Sequence, residues 1–565
     1  MSPIFELADR YISARVALDP DEATALGVPG YDHLLTNHGP DAVAERAALD
    51  RAALKELEDL TAGAELSDQD RVASAFMAER ISTRLALHDS GEDLRQLGVL
   101  SCPIINIRLI FTLMPTDTDE RWETIAQRLG EVPGALESAC GSLTLGLQRG
   151  LPASRRQALG VAKTCRAIGG SAGPPAVPGW FSQFVYSYGA KTPDLTLRLT
   201  EAAIVADAAY ARVADWLEQE YAPLADAADG VGVSRYRAMA RYWMGSDIDP
   251  MEAYDWGWQE LDRITARALM VADLIKPGAS LSQVTAYLNT QPEFQVRGTD
   301  NLRLWLQEFT DAAMKAVNQE CFDIPDEIRE CEAMIAPPGG AAAMYYTSPS
   351  EDFTRPGRTW YPTLGKEVFA IWPAVSTWYH ESVPGHHLQI AYAMLQKDRL
   401  SRLQRVESIS AHAEGWALYA ERLMGELGFY SEPAYELGML SGQALRAARV
   451  VVDIGLHLDL QLPDHRLARD IDGVSAVGQR WNRDLAVSFL ISHALQEADF
   501  AASEVDRYLG LPAQAISYKL GERAWLAARG AAQAAKGDSF DLRAWHMRAL
   551  ALGPVGLDTL ATELA

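Results

Sequence analysis

The chain has 565 residues, 48% hydrophobic and 22% charged, with a formal net charge of −25. That is the composition of a soluble globular protein, long enough by length alone for three or four domains. The excess of acid argues against nucleic acid or an anionic membrane surface as partner, because both would repel it. Five cysteines (Cys102, Cys140, Cys165, Cys321 and Cys331) are an odd number with no C-x-x-C pair. They argue against a disulfide framework or a thiolate zinc site and fit a reducing compartment.

Residues 1–90 read as helices, with apolar positions recurring at three- and four-residue intervals. The opening MSPIFELADRYISARVALDP carries acids and no basic leader, so no signal peptide and a cytoplasmic location are expected. The most apolar window, Leu97 to Pro115, is interrupted by Pro103, Asn106 and Arg108, so it is not a membrane span. Helices resume at Asp119. GGSAGPPAVPGW (169–180) cannot be helical and reads as an ordered loop packed against, or lining, a cleft. A helical pair follows from Pro193 to Tyr242. Asp249-Pro250-Met251-Glu252 is a helix start, with an Asp cap, proline at the first position and an acid at the third. Helices continue to about Asn318. The break at 336–362 is the best candidate for β structure, with short strands at Met344–Thr347 and Arg358–Tyr361. Tyr346 and Arg355 there are candidate substrate contacts, and Arg355 and Arg358 could receive a carboxylate; a surface loop with two solvated arginines is the alternative.

The stretch WYHESVPGHHLQI (378–390) holds three of the eleven histidines, beside Glu381. On a helix, H-E-x-x-H places two imidazoles on one metal and the Glu as general base. Here two extra residues, Pro384 and Gly385, precede the second histidine. Residues four apart are separated by about 40° and 6 Å, but a straight helix would put His386 about 240° from His380. A bulge at Pro384-Gly385 that absorbs two residues would restore the pairing. His380 and His386 are therefore the expected ligands, with His387 behind them. The alternative is that Pro-Gly ends one helix and the histidines begin the next.

In the following helix, AHAEGWALYAERL, Glu414 has Ala411, Ala417 and Leu418 as neighbours on its face. A carboxylate on an apolar face should be paired, protonated or bound to metal. As third ligand it completes a His₂Glu zinc set. Glu421, two turns on, is the expected outer partner. A third helix, from about Ala434 to Leu462, carries Arg446, Arg449, Asp453 and His457 on one face through an apolar field. Asp453 orienting His457 as an oxyanion donor is the catalytic reading, and Arg449 a substrate contact; an ion-pair ladder would look the same. Tyr518, in QAISYKLGERAWLAAR, is a further candidate oxyanion donor.

Together YYTSPSEDFTRPG, HESVPGHHLQ, EGWALYAERL, VVDIGLH and QAISYKLG resemble a bacterial family catalogued as domain of unknown function 885, over nearly the whole chain. The resemblance implies an all-α, mostly helical, zincin-like metallopeptidase fold with a minor β element near 344–361 and two helical halves flanking a deep cleft. The halves are expected at 1–335 (scaffold) and 336–565 (metal-binding). The resemblance also maps the metal set onto His380, His386 and Glu414, with Glu381 as base. The expectation is a cytoplasmic zinc metallopeptidase with one zinc per chain, acting on small peptides or peptide-like substrates and binding neither nucleic acid nor membrane. The rivals are a metal-dependent amidase or esterase on a non-peptide substrate, and a non-catalytic helical binding protein with a degenerate site.

Overall fold

The computed structural model describes residues 2–171, 177–189, 191–336 and 343–565. Among the described residues the chain is mostly helical with two small sheets, and none of the helices is long and apolar enough to cross a membrane. It divides into two compact units, Met1–Val231 with Leu509–Leu511, and Gly232–Tyr508 with Pro512–Ala565.

The first unit is built on the helix Asp119–Gln148, which packs against Pro193–Trp216. Its apolar stripe of Trp122, Ile125, Leu129, Val132 and Leu136 is buried in the unit's core. Arg128 on the same helix is fully buried because its guanidinium donates to the carbonyls of Leu34 and Pro20 and to Thr24 Oγ1. Of the 169–180 loop, residues 172–176 lie outside the described residues, so its expected packing does too; the helices Arg155–Gly169 and Trp180–Tyr186 flank it.

The second unit begins before the residue 335/336 boundary expected from sequence. Helix Pro250–Ile275 packs along helix Pro433–His457, and Gly257 is what allows it: a Cβ there would meet Val450 Cγ1 at 2.9 Å and Val451 Cγ1 at 3.0 Å. Residues 232–335 are thus built into the same core as the histidines. The expected helix start holds, with Asp249 accepting from Met251 N–H at 2.9 Å.

The β element is larger than expected. The strands are β1 (Gln295–Arg297), β2 (Cys331–Ile335), β3 (Tyr345–Thr347), β4 (Gly357–Tyr361) and β5 (Val368–Ala370); β1 and β5 pair antiparallel as a two-stranded sheet. The other three form a sheet in the order β2-β4-β3, with β2–β4 parallel and β3–β4 antiparallel. Leu302 and Leu306 of helix Thr299–Val317, Ala333 of β2 and Phe369 of β5 form a small core around Trp378. Trp378 also donates to Thr310 Oγ1 at 2.8 Å. The helix Ala374–Glu381, which carries His380, is thereby pinned to the sheet.

Candidate metal centre

The helix that carries His380 ends at Glu381, and His386 begins another, His386–Leu395. The expected bulge within a continuous helix is therefore replaced by a tight turn, with Val383–Pro384 cis. Gly385 N–H donates to Tyr379 O at 3.1 Å and His387 N–H to Ser382 O at 3.1 Å, so the turn closes back on the first helix. Only glycine fits at 385, because a Cβ there would lie 1.9 Å from the carbonyl oxygen of His380. Trp416 of helix Ser410–Glu426 donates to Pro384 O at 2.9 Å and holds the turn from the other side. The two imidazoles end 4.7 Å apart, ring centre to ring centre, at 84°.

Glu414 reaches both rings: its Oε2 lies 3.1 Å from His380 Nε2 and 3.6 Å from His386 Nε2. One donor atom from each of the three residues lies within 4.8 Å of the others, a spacing that can hold a metal ion. The back of the cluster is fixed. His380 Nδ1 is 2.9 Å from Glu421 Oε1, while Glu421, fully buried, also takes the Ser376 hydroxyl and an ion pair with Arg446 at 3.4 Å. Burial pulls the His380 imidazole down, but Glu414 and Glu421 on its two nitrogens outweigh it and hold it up at about 9. Burial likewise opposes ionisation of Glu414, and the two histidines overcome it, bringing the carboxyl well below its ordinary range. The site thus favours a cation between these groups, and two imidazoles with a carboxylate suit zinc.

Glu381 is buried next to this cluster, yet its carboxylate hydrogen-bonds no described residue. Burial raises its carboxyl above the usual range, opposed by His380 and His386. Tyr518 comes from helix Ser517–Lys536, which meets the Glu414 helix at two glycines. A Cβ on Gly415 would lie 2.5 Å from the Gly521 Cα, and one on Gly521 would lie 2.0 Å from Ala411 O. This close approach stacks the Tyr518 ring 6.5 Å from His380, at 18°. Burial raises the phenol, so it remains an O–H donor.

His387 is not part of the cluster. Its Nε2 donates to Ile328 O at 2.8 Å, its Nδ1 accepts from Tyr346 at 3.0 Å, and burial lowers it to about 4. Tyr346 therefore has its hydroxyl engaged by His387 rather than offered to a substrate. Arg355 is half-buried and its guanidinium hydrogen-bonds no described residue, within electrostatic reach of Tyr346.

The polar stripe on helix Pro433–His457 is not one network. Arg446 turns to Glu421, and Arg449 to Glu504. Asp453 accepts from Tyr236 Oη at 2.6 Å and Ala513 N–H at 3.0 Å. His457 donates from Nε2 to Tyr508 O at 3.0 Å and lies 3.8 Å from Asp453, too far for a hydrogen bond. The expected oxyanion donor is therefore not formed: burial lowers His457 to about 4, and the residue ties two helices together. Residues on one helix face can meet different neighbours, which spacing alone does not reveal. The sequence reading also missed Ser376, although it lies one helical turn before His380, and Trp416.

Asp453 carries a pH prediction. Burial pushes its carboxyl up to about 7, against hydrogen bonds from Tyr236 and Ala513. An acid that binds its proton more tightly when folded costs stability as pH rises through this window, with nothing lost below the unfolded value near 4. Asp453→Asn keeps an acceptor for Tyr236 and Ala513. It is expected to stabilise the protein by on the order of 2–4 kcal/mol at pH 8 and by almost nothing at pH 4. Thermal melts of both proteins across that range check it; a variant less stable at pH 8 would refute it.

Fold and site together define a mostly helical protein with a largely buried His–His–Glu cluster able to hold a metal. The chain belongs to the family described as "Bacterial protein of unknown function (DUF885)", which matches residues 20–564. It is similar to a crystal structure described as a "putative lipoprotein" from Colwellia psychrerythraea, with a TM-score of 0.83 at 23% identity, covering 99% of this chain and 98% of that one. A structure from Shewanella oneidensis, described as a "putative lipoprotein of unknown function", has a TM-score of 0.73 at 16% identity, covering 100% and 99%. At these identities the likeness concerns the fold alone. A comparison with curated proteins finds no match.

Proposed function

We propose that this protein is a cytoplasmic zinc metallopeptidase with a zincin-like site, cleaving peptide bonds of small peptides. The observation that carries the reading is the convergence of His380, His386 and Glu414 within 4.8 Å, beside a Glu381 carboxylate with no hydrogen-bond partner among the described residues. His380 and His386 would hold zinc through Nε2 and Glu414 through its carboxylate. Bound there, zinc would supply a Lewis acid that polarises the scissile carbonyl and makes water more acidic.

The remaining chemistry belongs to the chain. Glu381 takes the proton of the attacking water and returns it to the leaving nitrogen, its carboxylate being buried beside the cluster and held by no hydrogen bond to a described residue. Glu421 keeps the His380 ring oriented. Tyr518 donates its hydroxyl to charge developing on the carbonyl oxygen. A binding protein with a structural metal would close the site with four protein ligands, whereas three donors converge here among the described residues and the Glu414 side chain is 20% exposed. The cytoplasmic placement fits five free cysteines.

The test is metal analysis with a peptide-library digest. About one zinc per chain is expected, with cleavage lost on chelation and restored by zinc. A metal-replete protein that cleaves only non-peptide esters or amides would replace the substrate class; one that cleaves nothing would remove the enzyme reading.

A further inference from the structure

Two arginines share one glutamate beside the metal centre, and their charges do not cancel. Arg449 donates to Glu504 Oε2 at 3.1 and 2.7 Å and to the Tyr508 hydroxyl at 3.1 Å. Arg507 donates to the two oxygens of Glu504 at 3.0 and 2.8 Å and to Gln514 Oε1 at 2.6 Å. All three charged groups are buried. Asp453, within electrostatic reach of Arg507, is committed to Tyr236 and Ala513, and its burial disfavours the negative charge that would balance the pair.

This excess positive charge lies against Tyr518. The Arg449 guanidinium carbon lies 4.6 Å from the centre of the Tyr518 ring, which itself stacks on His380. One Nη of Arg449 donates to no described residue. Tyr518 and Gln514 beside it are only partly buried, so solvent reaches this corner. A buried, under-compensated guanidinium attracts an anion, and its planar fork matches a carboxylate.

Resting on the metallopeptidase reading, we propose that Arg449, backed by Arg507, is a carboxylate subsite one side chain away from the metal centre. The favoured substrates are then peptides bearing a carboxylate close to the scissile bond, from a free C-terminus or an acidic side chain.

The test compares an N-acetylated peptide acid, its C-terminal amide, and the amide with glutamate as last residue, using full-length zinc-loaded protein. The acid should exceed the plain amide in kcat/KM by at least about tenfold, the scale of one charge-assisted contact. Recovery of that preference by the glutamate amide would assign the carboxylate to a side chain; no recovery assigns it to the C-terminus. Arg449→Gln should collapse the acid-to-amide ratio to near one, mainly through KM. Because that change also disturbs Glu504, a second variant has the opposite sign: Glu504→Gln frees both guanidiniums and should tighten binding of the acid.

Calorimetry with the same acid and amide on Glu381→Gln protein reads binding without turnover. Equal affinity for acid and amide, or a preference that Arg449→Gln leaves intact, overturns the subsite. Selective binding of the acid through Arg449 by a protein that cleaves no peptide would instead leave the subsite standing and remove the peptidase reading.

Discussion

Glu381→Gln is expected to lower peptide hydrolysis by at least about a hundredfold, the lower end for general acid–base catalysis, while fold and zinc content stay unchanged. The side chain sits immediately after a ligand, yet it makes no hydrogen bond to a described residue, so its amide leaves no described partner unsatisfied. What the amide cannot do is accept and return a proton. Because the loss falls on the transition state, kcat and kcat/KM should fall together. Activity assays, zinc content and melting temperature on the same preparation check this. A fully active Glu381→Gln protein would remove the mechanism whatever the metal content.

Replacing His380, His386 or Glu414 by Ala is expected to abolish both zinc and hydrolysis. Each change deletes one of the three donors that converge among the described residues, and the remaining two cannot complete the set. Glu421→Gln should be milder, weakening zinc by about 10–100-fold, because it loosens the His380 ring without removing a donor. His387→Ala should keep its zinc and lose stability instead, since its two nitrogens serve Tyr346 and Ile328. Zinc measured per chain, with melting temperatures, separates these outcomes. Loss of zinc from His387→Ala alone would make His387 the ligand in place of His386.

Much of the molecule is legible in the sequence. Apolar residues at three- and four-residue spacing marked the helices, and Asp249-Pro250 marked a start, because caps and amphipathic stripes are local properties. His380, His386 and Glu414 stood out because imidazoles and carboxylates in apolar surroundings require a partner. The strands β1, β2 and β5 escaped notice: segments of three to five residues show too little periodicity, and their partners lie 26 residues or more away.

Tertiary structure alone decided the rest. Whether Pro384-Gly385 made a bulge or a turn depended on Trp416, which holds the Pro384 carbonyl from another helix, while the His380 carbonyl leaves room for glycine only. The stripe Arg446, Arg449, Asp453, His457 is regular in sequence, yet its four members bond to Glu421, Glu504, Tyr236 and Tyr508, because neighbouring turns of one helix face different elements. Tyr518 is brought to His380 by the contact of Gly415 with Gly521, residues 106 positions apart. Spacing along a chain sets which side chains share a face, while packing between helices sets what that face meets.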